Sequence, residues 1–173
     1  DSVKSRGLGD VYKRQAMKRT EQKWLWVHAA SNGELQSAKP VLDAFAARYA
    51  QTSLLITCNS LSGRLWAGEL GYHAVLSPLD LRWAQRRFLS AYPIAAHVTF
   101  EAELWPNRIA ILAAAGIPIA ALGARMSARG QNLWRRFPSL STKLLNALAY
   151  LQPQDADSDQ RFKSLGIDPR KMG

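Results

Sequence analysis

Cysteine is almost absent from this 173-residue chain. Cys58 stands alone, which excludes a disulfide framework and a cysteine-only metal site. The three histidines, His28, His73 and His97, are far apart and none adjoins the cysteine, so metal-ligand spacing is missing too. No apolar run approaches the roughly 18–20 residues that cross a bilayer, and the opening residues carry no apolar signal-peptide stretch. Acidic residues are also scarce: 13 against 23 Lys and Arg, for a formal charge of +10. What is present is a 47% hydrophobic, 21% charged composition, which argues against disorder and against a fibrous protein. The length suffices for one domain with a real core. Basicity points to an anionic partner, whether nucleic acid, membrane surface or phosphorylated ligand.

The two ends read differently from the middle. Residues 1–15 show no apolar periodicity, and Asp10 to Gln15 resembles a translated transposon end of the kind used in sequencing-library preparation. They are expected to be a non-native scar, with a native disordered arm as the alternative. Without those four basic and two acidic residues the net charge is +8. Lys171-Met172-Gly173 follows Ile167-Asp168-Pro169-Arg170 with no polar tail, and reads as a cut chain. The expected organisation is therefore one domain over 16–173.

Between the ends, short apolar runs alternate with amphipathic ones. Strands are expected at 24–30, 53–57, 74–76, 94–100, 117–122 and 150–151. Helices are expected at 34–49, 61–70, 80–91, 106–115, 133–149 and 156–165. Leu35, Ala38, Leu42, Phe45 and Tyr49 form an apolar stripe on the first. Asp80 is expected to cap the third, with Leu81, Ala84, Phe88 and Leu89 turned to the core. Pro106 suits a first helical position, and Pro138 interrupts or restarts the fifth helix, at 133–149. Alternation with strands apolar on both faces signals an α/β fold, a Rossmann-like parallel sheet with helices on both faces. Ligands of such sheets bind beyond the carboxyl ends of the strands.

Polar residues cluster at three such ends. In Ser31-Asn32-Gly33-Glu34, Gly33 permits a tight turn and a close ligand approach, and the following helix start favours an anion. Glu34 can be a general base there, or part of a capping box with Ser31. The single glycine makes no dinucleotide fingerprint. In Glu101-Ala102-Glu103-Leu104-Trp105-Pro106-Asn107, one carboxylate near a helix start is explained by the dipole; two so close need solvent or cations. In Gly123-Ala124-Arg125-Met126-Ser127, Arg125 is the natural partner of Glu101 or Glu103, or a phosphate clamp. His28, His73 and His97 read as hydrogen-bonded core residues, and Cys58 as a small buried thiol. Arg82, Arg86 and Arg87, with Arg135 and Arg136, read as solvated helix faces that can also attract anionic headgroups. Trp83 and Trp134 beside them suit an interface as well as a core.

These strand ends resemble the 3-deoxy-D-manno-octulosonic acid (Kdo) transferases. The matching segments are WVHAASNGE at 26–34, EAELWPN at 101–107 and GARMS at 123–127, with Pro78-Leu79-Asp80 and the closing LGIDPRKMG in support. The likeness spans Trp24 to Gly173. It implies the N-terminal, acceptor-side half of a GT-B glycosyltransferase that moves Kdo from CMP-Kdo to a lipid A precursor. That enzyme is inverting, needs no metal or other cofactor, and works at the cytoplasmic face of the bacterial inner membrane. By position, Glu34 matches the family's general base and Glu101 an acidic residue that organises the site. Ser31, Asn32, Gly33, Arg64, Glu103, Asn107, Arg125 and Ser127 are implied to bind substrate. Asn32 stands where many members carry an apolar residue. The donor would be held mainly by a C-terminal domain, so this portion alone is expected to be inactive. Anionic membrane is the implied partner surface and no nucleic acid is expected. A basic nucleic-acid-binding domain, or another GT-B enzyme using a UDP-sugar, are the alternatives.

Overall fold

The computed structural model describes residues 23–49, 52–101 and 104–173. Its centre is a six-stranded sheet of β1 (Trp24–His28), β2 (Ser53–Cys58), β3 (His73–Leu76), β4 (Ile94–Phe100), β5 (Ile119–Ala124) and β6 (Tyr150–Pro153). All neighbours pair in parallel, in the order β3-β2-β1-β4-β5-β6. This is the expected Rossmann-like α/β fold, with the reversal of strand order between β1 and β4.

Helices α1 (Asn32–Arg48), α2 (Leu61–Glu69), α3 (Arg82–Ala91), α4 (Pro106–Ala114), α5 (Ala128–Arg135), α6 (Pro138–Ala147) and α7 (Ala156–Ser164) connect the strands, and a 3-10 turn follows at Pro169–Lys171. Alternation along β1 sends Leu25, Val27 and Ala29 to one face and Trp26 and His28 to the other. On the first face they pack with Leu35, Ala38 and Leu42 of α1, Ala67 of α2, and Ile56 and Cys58 of β2. On the second, Trp26 stacks near Phe88 of α3 in a core that continues through Ile109 and Leu112 of α4, Leu144 and Leu145 of α6 and Phe162 of α7. Each fully buried Leu or Phe here contributes about 1.5–3 kcal/mol of transfer free energy. The sheet therefore divides two separate cores.

Several expectations need correction. Asp80 does not cap α3. That helix begins after Leu81 with no side-chain cap, and Asp80 bonds to α4 instead. Leu81 is exposed and Gln85 takes the buried place, its amide donating to the carbonyl of Leu79 at 3.0 Å. The helix expected from Leu133 already starts at Ala128, because Ser127 accepts from the N–H of Gly130 at 3.0 Å and caps it. Pro138 then opens α6 at its first turn. His73 lies exposed on the edge strand rather than in the core, its ring 5.0 Å from that of Trp24. His28 and His97 are buried as expected. The stretch 1–15, expected to be a scar, lies outside the described residues.

Candidate functional site

Glu34 and Glu101 flank the β1/β4 reversal. They line one cavity of about 290 Å³, with Ser37, Gly123, Gln152 and Gln154 on its walls. Each carboxylate is delivered by a different local device.

Glu34 arrives through a capping box. Ser31 ends the strand-to-helix turn in extended conformation, and its hydroxyl oxygen accepts from the N–H of Glu34 at 3.2 Å. Glu34 reaches back: Oε2 accepts from the N–H of Ala30 at 2.7 Å, and Oε1 from the Ser31 hydroxyl at 3.3 Å. The cap reading of Ser31 and Glu34 thus holds in the geometry, and the same bonds fix the carboxylate at the cavity wall. Gly33 is an ordinary helical residue with no left-handed φ, so the tight-turn explanation for it fails. Its surroundings are open, with the nearest atom to an added Cβ 3.9 Å away.

Glu101 arrives through backbone strain. It follows β4 with φ 57°, left-handed for a residue with a Cβ, while Gly123 on β5 has φ 58°. For a residue with a Cβ such a conformation costs of order 1–3 kcal/mol and occurs mostly where geometry matters to function. Two main-chain bonds hold it: the Glu101 N–H donates to Leu122 O at 3.1 Å, and the Arg125 N–H donates to Glu101 O at 3.3 Å. The link between Arg125 and Glu101 is therefore backbone, and no ion pair joins their side chains among the described residues. The Arg125 side chain is exposed and acts on Asp155, whose carboxyl is held below its ordinary value mainly by hydrogen bonds from Ser158, then by Arg125 and Arg161. Ser158 and Arg161 also brace the turn after β5, through Met126 N at 3.1 Å and Met126 O at 3.0 Å.

The other expected residues spread along the same rim. Asn32 opens α1 beside the first turn of α2, its Oδ1 standing 3.1 Å from where a Cβ on Gly63 would lie. Arg64 is half-buried in that turn of α2 and does not line the Glu34–Glu101 cavity. Ser127 borders a wider cleft of about 790 Å³ with Arg129 and Arg136. Asn107 is engaged with Asp80, its amide donating to the Asp80 carbonyl at 2.8 Å. Glu103 lies outside the described residues.

Behind the rim is a polar layer that sequence reasoning did not assemble. Trp26 Nε1 donates to Thr57 Oγ1 at 2.7 Å, and His28 Nδ1 lies 2.9 Å from the same oxygen. His97 Nδ1 donates to Trp26 O at 3.0 Å. Burial holds His97 neutral, well below the ordinary histidine range, with Arg108 and His28 adding repulsion. Arg108 is 2% exposed, its guanidinium 4.9 Å from the Trp26 ring centroid. The missed signal was positional: Trp26 and His28 on β1, and Thr57 in register with His28 on β2, share one face of the sheet. Cys58, at the end of β2, is pushed up to about 11 by burial and by the charge of Glu34, an inert thiol. No group of three or more His, Cys, Asp or Glu suited to a metal ion occurs among the described residues.

Two solved structures share this architecture. A chain described as a UDP-N-acetylglucosamine 2-epimerase of Listeria monocytogenes matches with TM-score 0.60 at 9% identity, over 87% of this chain and 44% of its own. The UDP-GlcNAc 2-epimerase of Neisseria meningitidis, bound to UDP-GlcNAc, matches at TM-score 0.58 and 14% identity, over 87% and 45%. At such identities they establish the fold alone. Sequence relatives are more specific. The 3-deoxy-D-manno-octulosonic acid transferase of Bordetella pertussis is 33% identical over 145 residues, which is 79% of this chain and 32% of that protein. The enzyme of the same name from Haemophilus influenzae is 28% identical over 152 residues, 86% and 35% respectively. The chain thus spans about a third of the length of these relatives. Residues 5–173 match the family described as 3-deoxy-D-manno-octulosonic-acid transferase (kdotransferase), so a sheet carrying two carboxylates at its reversal point belongs to that family.

Proposed function

We propose that this chain is the acceptor-side portion of a longer Kdo transferase, acting in lipopolysaccharide biosynthesis on CMP-Kdo and a lipid A precursor. The observation that carries this reading is the convergence of Glu34 and Glu101 on one cavity at the β1/β4 reversal, in a chain of this family. In the reaction, an acceptor hydroxyl oxygen attacks the anomeric carbon of the donor. The bond from that carbon to the CMP phosphate oxygen breaks, CMP departs as an anion, and the hydroxyl proton passes to Glu34. Glu101 orders the acceptor opposite.

The acceptor is phosphorylated and lipid-borne, and the rim suits it. Arg82, Arg86 and Arg87 flank the exposed Leu79, Leu81 and Trp83, the last 65% exposed. Arg135 and Arg136 flank Leu133, Phe137 and Leu140, with Phe137 60% exposed. Both groups follow strand carboxyl ends, on the side of the proposed site. Exposed aromatics beside arginines fit an anionic bilayer surface, which supports work at the cytoplasmic face of the inner membrane. No described helix is long and apolar enough to cross a membrane.

The test is made in the full-length transferase containing this chain. Glu34→Gln keeps an oxygen for the capping box but cannot take the proton, so transfer should fall by about 10²–10⁴-fold with an unchanged melting curve. Wild-type rates would overturn the role of Glu34. Turnover with UDP-sugars but not CMP-Kdo would overturn the donor.

A further inference from the structure

Helix α4 follows the strained Glu101 after only four intervening residues, and it has no cap of its own. Trp105 holds the capping position and makes no side-chain bond there. The cap comes from the β3–α3 connection. Asp80 Oδ1 accepts from the N–H of Arg108 at 2.8 Å, and Oδ2 accepts from the N–H of Asn107 at 3.0 Å and from its side-chain amide at 3.3 Å. The Asp80 carbonyl takes the same amide at 2.8 Å. α4 answers in the reverse direction: Arg108 Nη2 donates to Ser77 Oγ at 2.7 Å, with the guanidinium laid over Trp26. Glu101 itself is tied to β5 through Leu122 and Arg125, and α4, which begins five positions later in the chain, is tied to Ser77 and Asp80.

We infer that Asp80 is a positioning residue for the Glu101 carboxylate, acting through the first turn of α4. Asp80 does not line the Glu34–Glu101 cavity, so its influence is indirect. Both of its carboxylate oxygens are used as acceptors, a demand that asparagine, with one acceptor oxygen, cannot meet. Loosening the start of α4, five positions along the chain from Glu101, would free the left-handed glutamate to relax, and a displacement of about 1 Å at a reacting group costs up to about 100-fold in rate. This inference rests on the proposed role of Glu101.

The experiment is a double-mutant cycle in the full-length transferase, with Asp80→Asn, Glu101→Gln and the double variant. Asp80→Asn should lower kcat by about 10- to 100-fold with KM for the acceptor within about twofold. The double variant should be little slower than Glu101→Gln alone, because both changes act through one carboxylate. Ser77→Ala, which leaves the Asp80 cap intact, should give a smaller kcat loss in the same direction and serves if Asp80→Asn folds poorly. Full kcat in a correctly folded Asp80→Asn variant, a loss confined to Tm, or effects that multiply would each overturn the inference. Wild-type rates in Glu101→Gln would instead overturn the proposed role of Glu101, and the positioning role with it.

Discussion

Glu101, just past β4, and Gly123, within the neighbouring β5, share a left-handed φ, 57° and 58°, and both line the same cavity. Gly123 adopts it at little steric cost, whereas Glu101 carries a Cβ that opposes it.

Replacing the glutamate isolates that backbone cost. Glu101→Ala and Glu101→Gly both remove the carboxylate, so any difference between them reports conformation. Glycine should be the more stable by about 0.5–1 kcal/mol, the left-handed penalty of about 1–2 kcal/mol less the roughly 0.4–1 kcal/mol of extra unfolded-chain entropy. Urea unfolding of the two variants measures it, and an alanine variant of equal or greater stability would contradict the strain.

The starts of α1 and α2 meet at Gly63. An added Cβ there would stand 3.0 Å from the Cβ of Cys58 and 3.1 Å from Asn32 Oδ1. Gly63→Ala should therefore destabilise the chain by about 1–3 kcal/mol. Asn32→Ala should recover part of that loss in the double variant, since the amide tip can be removed and the strand atom cannot. Denaturant midpoints for the single and double variants read the coupling.

His97 makes stability depend on pH. In the folded chain burial holds it neutral well below its usual pKa of 6.5, while the unfolded chain takes up the proton near that value. Its contribution is complete above pH 6.5 and is lost as pH falls below it, by up to about 1.4 kcal/mol per unit. Unfolding free energies at pH 7, 6 and 5 should decline accordingly, and His97→Asn should flatten the slope. An identical slope in the variant would assign the effect elsewhere.

The parts legible in the sequence are those that local chemistry determines. Ile94–Phe100 is a strand as expected, because an apolar run bounded by Pro93 and a charged turn has few alternatives. The capping box at Ser31 and Glu34 is legible because both partners lie within one helical turn. Asp80 is misread because its position invites a cap for the next helix, whereas the groups it serves, Asn107 and Arg108, are 27 and 28 residues away. The only local clue was Trp105, a side chain unable to cap the helix it precedes. Arg108 is illegible for a related reason: a cation at 2% exposure is recognisable only once Trp26 and Ser77 have been brought to it. Charge alone pairs Arg125 with Glu101 or Glu103, but the bond that joins Arg125 to Glu101 is a main-chain one.

Every connection in a parallel sheet returns the chain to the rim from which its strand began. Gly71 and Gly116, with φ 87° and 70°, turn α2 into β3 and α4 into β5 at the rim opposite the carboxylates. An added Cβ at either would meet nothing within 4 Å, so these turns face open space. A fluorescent label or a short inserted tag placed beside them would sit a full strand length from Glu34 and Glu101, giving the protein a handle by which its surface can be immobilised or tracked while the acceptor rim is left uncovered.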